Sequence, residues 1–529
     1  MNALIEPTGA DPGAAADPLA PHWAGLGLGA AVSALAGCGG GGETAAAVPI
    51  TPPVVTPVVP PVQPTVGYRY TLAATDEEAA RFLLQAQFSA SDAEVASVRA
   101  AGFSAWLQQQ TAQPVSASGW DWLNAKGYAD VLNPANYYDS VSPADAMAWS
   151  QLIAAPDATR KRMALALSEF FVVSSTGLSF NWRSHAAAAY WDVLNTHAFG
   201  NYRDLLEAIT LNAAVGYYLN TKGNKKADDK GSQPDENYAR EVMQLFSLGL
   251  VLLNADGTPK LTGGVKSDTY TATDVSNLAQ MFTGYDLDTS QNVVTPIAQT
   301  GGGNRNVGST AFARLPMVQV GGNHSALAAT FLGTTVAANT PARDALKIAL
   351  DTLFNHPNTA PFFSKQLIQR LVTSNPSAAY VGRVAAVFAN NGKGVRGDLG
   401  AVYRATMLDD EARSPDGLTQ PEFGKLREPM VRLIQWARTF NATSASDAWK
   451  IGDLSNAATQ LGQSPLRAPS VFNFFRPGYV PPSAALSAAA VAPEFQLVNE
   501  TSVGGYLNYM TNVINTGINS GDIKAAYTE

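Results

Sequence analysis

The chain has 529 residues, 46% hydrophobic and only 15% charged, with a formal net charge of −8 at pH 7. That charged fraction lies below the usual figure of about 25%, and no basic block occurs, so no nucleic-acid-binding surface is expected. Five histidines and one cysteine make no array with zinc-ligand spacing, permit no intramolecular disulfide and leave no pair for haem attachment.

An Ala/Gly/Leu-rich run at 23–36 ends in Leu35-Ala36-Gly37-Cys38. This resembles the bacterial lipobox, in which the cysteine is lipidated on sulfur and becomes the new N-terminus. Residues 1–37 are therefore read as a lipoprotein signal peptide, with Cys38 as the lipidation site. The apolar run is too short to span a bilayer as a stable helix. The segment before it carries Glu6, Asp11 and Asp17 and no Lys or Arg, a departure from the usual positive charge. Gly39 after the cysteine resembles the pattern sorted to the outer membrane, so an exported, lipid-anchored protein is expected. Residues 38–67 read as a tether: a Gly run, then Pro49, Pro52, Pro53, Pro57, Pro60, Pro61 and Pro64 among Val and Thr. Such a segment favours extended polyproline II, a semi-rigid spacer.

From residue 68 to 529 the pattern predicts an all-α, multi-helix body. Thr75-Asp76-Glu77-Glu78 and Ser91-Asp92-Ala93-Glu94 are capping boxes that open two helices. Residues 160–173 are apolar nearly all round, which predicts deep burial. Helices at 186–194 and 202–211 follow, joined by a turn that contains His197 and Asn201. Residues 234–249 then predict one helix, with Pro234 in its first turn and Gly249 at its left-handed end. Tyr238, Ala239, Val242, Met243, Leu245 and Phe246 share one arc, and Glu236, Asn237, Arg240, Glu241 and Gln244 the other. Glu236 to Arg240 is ordinary i,i+4 ion-pair spacing.

Asn254-Ala255-Asp256-Gly257 signals a β-hairpin over 250–261, and 271–284 a helix. Residues 286–324, rich in Gly, Thr and Asn, predict a long loop or small ribbon dividing two lobes, 68–285 and 325–529. Helices are expected again at 343–354, 359–372, 378–389, 398–408 and 423–440, where Pro429 marks a kink or restart. The Pro- and aromatic-rich stretch 462–482 predicts a wrapping segment, and 495–518 a last helical region. Gly301-Gly302-Gly303-Asn304-Arg305 lacks the Gly-Lys-Ser/Thr ending of a phosphate loop. No Gly-x-Ser-x-Gly elbow and no dinucleotide fingerprint occur, and no cofactor is expected.

Several stretches together resemble the bacterial domain-of-unknown-function 1800 family over roughly 79–478. They are 79–86 (Ala-Ala-Arg-Phe-Leu-Leu-Gln-Ala), 197–206 from His197 to Leu206, 236–241 (Glu-Asn-Tyr-Ala-Arg-Glu) with Leu248-Gly249, Phe282-Thr283-Gly284-Tyr285, 356–360, Gly462-Gln463 and Pro469-Ser470-Val471. Relatives commonly have Trp in place of Tyr285 and Gly-Trp in place of Phe472-Asn473. The resemblance implies a secreted or surface-anchored protein whose partner is a sulfatase-like protein of the domain-of-unknown-function 1501 family. It implies no reaction.

Three functions fit these residues. One is a binding or scaffold protein at the envelope, in which Glu236 and Arg240 pair across to other helices. A second is a hydrolase with Glu236 and Glu241 as acid and base, Arg240 orienting an anionic group, and Asn237, His197 and Asn201 binding substrate. Five residues turn a helix by roughly 500°, so the two carboxylates diverge by about 140°, which is poor geometry for a dyad. The third is a Ca²⁺ or Mg²⁺ site built from Asp228, Asp229, Asp235 and Glu236.

Overall fold

The computed structural model describes residues 68–299, 301–482 and 490–527. The signal peptide expected at 1–37, the lipidation site Cys38 and the tether at 38–67 lie outside the described residues. Helices dominate, as the periodicity predicts, and among the described residues strands occur only in two-stranded sheets.

Local signals start the first helices, α1 (Asp76–Ala86), α2 (Asp92–Ala101) and α3 (Phe103–Thr111). The Thr75 side chain accepts from the Glu78 amide, and Ser91 with Glu94 closes a full capping box. Next come α4 (Gly119–Ala125), α5 (Ser142–Ala154), α6 (Ala158–Ser168), α7 (Arg183–His197), α8 (Tyr202–Thr210) and α9 (Ala213–Tyr218). The hub is α7, which packs against α4, α5, α6, α8 and α9. Its run Ala186-Ala187-Ala188-Ala189 is wholly buried, and small side chains there let neighbouring helices approach closely. Every residue of α6 is buried, including Arg160, Lys161 and Arg162, so the predicted depth is right. The helix stops at Ser168, however, and the chain turns over 169–173.

The central helix, α10 (Asn237–Gln244), is shorter than expected. Asp235 Oδ1 accepts from the Asn237 amide at 2.8 Å, a local turn that keeps Pro234 and Asp235 outside the helix. At the other end the Leu248 and Gly249 amides both donate to Met243 O. Gly249 has φ 74°, and a Cβ there would lie 2.6 Å from Phe362, so Gly249 ends the turn as predicted. In place of a regular hairpin over 250–261 the chain forms isolated bridges and a short ribbon beyond them. Leu253 faces Pro259 and Val251 faces Asp268, with β1 (Leu261–Thr262) and β2 (Val265–Lys266) continuing the meander.

After α11 (Ala272–Ala279), β3 (Tyr285–Asp286) pairs with β6 (Val318–Gln319). Between them β4 (Val294–Ala298) and β5 (Asn304–Gly308) form a hairpin inside the expected loop. The described residues form one compact unit, and two lobes are not distinguished. α12 (Ala342–Asn355), α13 (Thr359–Leu371), α14 (Ala378–Ala389) and α15 (Leu399–Leu408) fall within a residue or so of expectation, and α16 (Asp410–Arg413) follows. Pro429 is a start rather than a kink, at the first position of α17 (Pro429–Thr439). The 462–482 segment does wrap the body: Arg467 clamps Asp145 of α5 through two hydrogen bonds of 2.8 and 2.5 Å. The last helix is α18 (Glu500–Thr516). No described helix is long and apolar enough to cross a membrane.

Asn358, fully buried before α13, joins the two halves of this sequence. Its Nδ2 donates to Leu248 O and Val251 O at 3.0 and 2.8 Å, and its Oδ1 accepts from the Leu253 amide at 2.9 Å. It therefore satisfies three main-chain groups where the chain leaves α10. Asn358→Ala is expected to lower stability by roughly 2–4 kcal/mol, because those groups become buried orphans. Chemical denaturation of the two proteins checks this.

Candidate functional site

The apolar arc of α10 is buried as predicted: Tyr238, Ala239, Val242, Met243 and Phe246. Tyr238 hydrogen-bonds Thr210 of α8 at 2.6 Å and packs edge-on against Phe282. The polar arc splits. Glu236 and Arg240 form a 3.0 Å ion pair with side chains 38% and 48% exposed. Glu236 also accepts from the Ser276 hydroxyl of α11. The pair therefore lies within its own helix and does not span to another to hold the core. Glu241 is only 7% exposed, and its Oε2 has no protein partner. Burial raises its carboxyl above the ordinary value, with Arg240 pulling the other way. It is thus not part of a solvated face.

The remaining sequence candidates lie apart. Asn237 is half-buried in the first turn of α10. Asn201 caps α8, accepting from the Arg203 amide at 2.9 Å and donating to Arg396 O at 2.8 Å. His197 lines a separate cavity of about 250 Å³ with Asp192, Trp120 and Arg314, and burial lowers its pKa. Asp228 caps its own loop through the Lys230 and Ser232 amides, and Asp235 holds Asn220 and Asn237. Among the described residues no three acidic, His or Cys side chains gather as metal ligands.

The structure instead brings cations together in a cavity of about 420 Å³. Arg81 enters it from α1, Arg162 from α6, and Lys425 and Arg427 from the segment before α17. Each arginine is anchored through Nη2 to main-chain oxygen. Arg81 donates to Arg413 O and Ser414 O at 2.8 Å, Arg162 to Arg370 O at 2.7 Å and Arg427 to Leu84 O at 3.0 Å. Among the described residues none of the three forms an ion pair. Nε and Nη1 of both Arg81 and Arg162 are buried without a protein partner. Arg162 is 3% exposed. Burial, and then Arg162, push the Arg427 guanidinium down to about 10. Gly417 leaves room for the free edge of Arg81, since a Cβ there would collide with Arg81 Nη1.

Lys425, by contrast, is saturated. It donates to Arg370 O at 2.8 Å and meets Glu494 at 2.8 Å and Glu428 at 3.6 Å. Glu428 also accepts from Gln463 Nε2 at 2.7 Å. Beside it lies Glu169, whose carboxyl oxygens have no protein donor of their own. Burial, then the Glu428 charge, raise Glu169 well above the ordinary carboxylate range. Burial pushes Glu428 the same way, but Lys425, a hydrogen bond from Glu169 and Arg162 outweigh it and leave Glu428 lowered. Of the two carboxyls, Glu169 is the one that burial and its neighbour's charge push toward the protonated form.

A family model described as Protein of unknown function (DUF1800) matches residues 81–527, nearly the whole described body. The chain belongs to that family. No curated protein and no solved structure matches. The DUF1800 match opens at Arg81 itself, the first cation of the cleft. Sequence reasoning passed over Arg162, Lys425, Arg427, Glu428 and Glu169. The available signal was the triplet Arg160-Lys161-Arg162 inside a helix read as deeply buried, and Lys425-Leu426-Arg427-Glu428 just ahead of Pro429.

Two measurements separate these regions. Glu236→Gln and Arg240→Ala are each expected to cost less than about 1 kcal/mol, as exposed pairs do. Because the Glu241 pKa is raised on folding, its stabilising contribution is complete below the unfolded value of about 4.3 and is lost as pH rises through the folded value. Glu241→Gln is therefore expected to melt at or above wild type at pH 7, with the difference closing below pH 4. In the cleft the same sign holds for Glu169, so the advantage of Glu169→Gln over wild type is expected to grow as pH rises above the unfolded value of about 4.3. Lys425→Met is expected to cost roughly 3 kcal/mol by leaving the buried Glu428 and Glu494 without their shared cation. Thermal melts of wild type and the five variants across pH 3–9 read all of this.

Proposed function

We propose that this protein is a binding protein of the cell envelope, lipid-anchored through Cys38, that takes an anionic ligand in the cleft of Arg81, Arg162 and Arg427. The observation that carries the reading is the pair of free guanidinium edges on Arg81 and Arg162, buried without a protein partner in a ligand-sized cavity. Buried N–H donors without an acceptor are costly, and an oxyanion that accepts from Nε and Nη1 would offset that cost. The Leu35–Cys38 pattern and the Pro-rich tether support the anchor. A sulfatase-like partner of the DUF1501 family remains part of the proposal on the strength of the family resemblance alone. The exposed Glu236–Arg240 pair and the solitary Glu241 favour binding over a hydrolase built on α10.

Replacing chloride by inorganic phosphate at constant ionic strength tests the reading. Saturating phosphate is expected to raise the melting temperature of the full chain by about 1–3 °C. The rise should disappear in Arg81→Gln and Arg162→Lys. Equal melting in both salts would count against the cleft as an anion site.

A further inference from the structure

Resting on that reading, we infer that the ligand is an oxyanion carried on an apolar body rather than a free inorganic anion. An oxyanion of five heavy atoms takes the room of a few waters, each of which needs roughly 10–15 Å³ of free volume by the same measure. The cavity offers about 420 Å³. The space beyond the guanidinium edges is bounded by Leu84, Leu371, Val372, Phe423 and Val431. Leu371, Val372 and Val431 are covered already, at 2% exposure each, whereas Leu84 and Phe423 are only partly buried and keep apolar surface accessible. A small polar anion would leave that surface facing water, whereas an alkyl or aryl group would cover it.

The polar groups are arranged for one head. Arg81 and Arg162 come from different helices, and each spends one nitrogen on main-chain oxygen and keeps two for the ligand. Lys425 is taken by Glu428 and Glu494 and does not compete. The site therefore recognises a carboxylate or phosphate by N–H donors and its substituent by shape and dryness. A membrane lipid with an anionic head and a soluble organic phosphate or acid share this chemistry.

Calorimetry on the full chain with octyl phosphate, inorganic phosphate and octanol tests the inference. Octyl phosphate is expected to bind at least tenfold tighter than inorganic phosphate, and octanol to bind undetectably. Equal affinity for the two phosphates would overturn the apolar body while leaving the anion cleft standing. Binding by neither phosphate would remove the cleft reading itself. Ala80→Phe, which fills the half-exposed edge of the cavity without touching a charge, is expected to weaken octyl phosphate at least tenfold and to melt like wild type. If it binds octyl phosphate unchanged, the ligand does not occupy this cavity. Co-sedimentation with phosphatidic acid vesicles, reduced in Arg162→Lys, assigns the membrane source; octyl phosphate binding without co-sedimentation assigns the soluble one.

Discussion

The site depends on how three arginines are held. A carbonyl oxygen carries only partial charge, so it fixes a guanidinium in place without neutralising it. Arg81, Arg162 and Arg427 are all held in this way. Elsewhere in the molecule the opposite solution appears. Arg467 is clamped on Asp145, and Arg383 forms two bonds of 2.7 and 2.8 Å with Asp409. Those pairs are closed, with charge met by charge in fixed geometry. The cleft arginines are positioned and left open beside a cavity, which costs stability that a bound anion would offset.

The carboxylates nearby could have supplied it, and the structure prevents them. Glu428 and Glu494 are committed to Lys425. Glu169, the remaining buried carboxyl, holds its proton because burial and Glu428 both oppose ionisation. An ionised Glu169 would stand as a counter-charge close to Arg162. Keeping it neutral preserves the positive potential of the cavity. The same group ties elements far apart in sequence: Glu169 ends α6, Arg370 belongs to α13, Glu428 precedes α17 and Glu494 sits in the turn at Pro493–Leu497. The cleft is therefore framed by a network that also closes the fold, and its walls have little freedom to collapse onto the unpaired edges.

Periodicity and caps made the helical body legible. The ends of α14, the start of α17 at Pro429 and the stop at Gly249 all follow from chemistry within a few residues. What failed was length where a side chain captured the backbone: Asp235 takes the Asn237 amide, so α10 starts later than its pattern. Two lobes are not distinguished, because hydropathy in 286–324 describes exposure and not packing: β4 and β5 pair within that stretch, and Arg305 on β5 reaches Asp139. The cleft was hidden for a different reason. Its cations are separated by up to about 345 positions, and a lone Arg in an amphipathic pattern reads as a solvated or snorkelling side chain. Only the charged triplet in α6 conflicts with its surroundings strongly enough to stand out.

That contrast explains why Glu236-Asn237-Tyr238-Ala239-Arg240-Glu241 attracts attention out of proportion to its geometry. A sequence displays charges, but the effect of a charge depends on what opposes it. Glu236 and Arg240 oppose each other in water, so their interaction is weak and their fields are screened. Glu241 is buried with no donor on Oε2 and is better off neutral. Neither arrangement presents a field to a third party. Arg81 and Arg162 do, since their N–H edges have no acceptor within the protein. Recognition follows donors left open in a cavity, and on that criterion the chemistry of this fold lies where α1, α6 and the approach to α17 meet rather than on its most conspicuous helix.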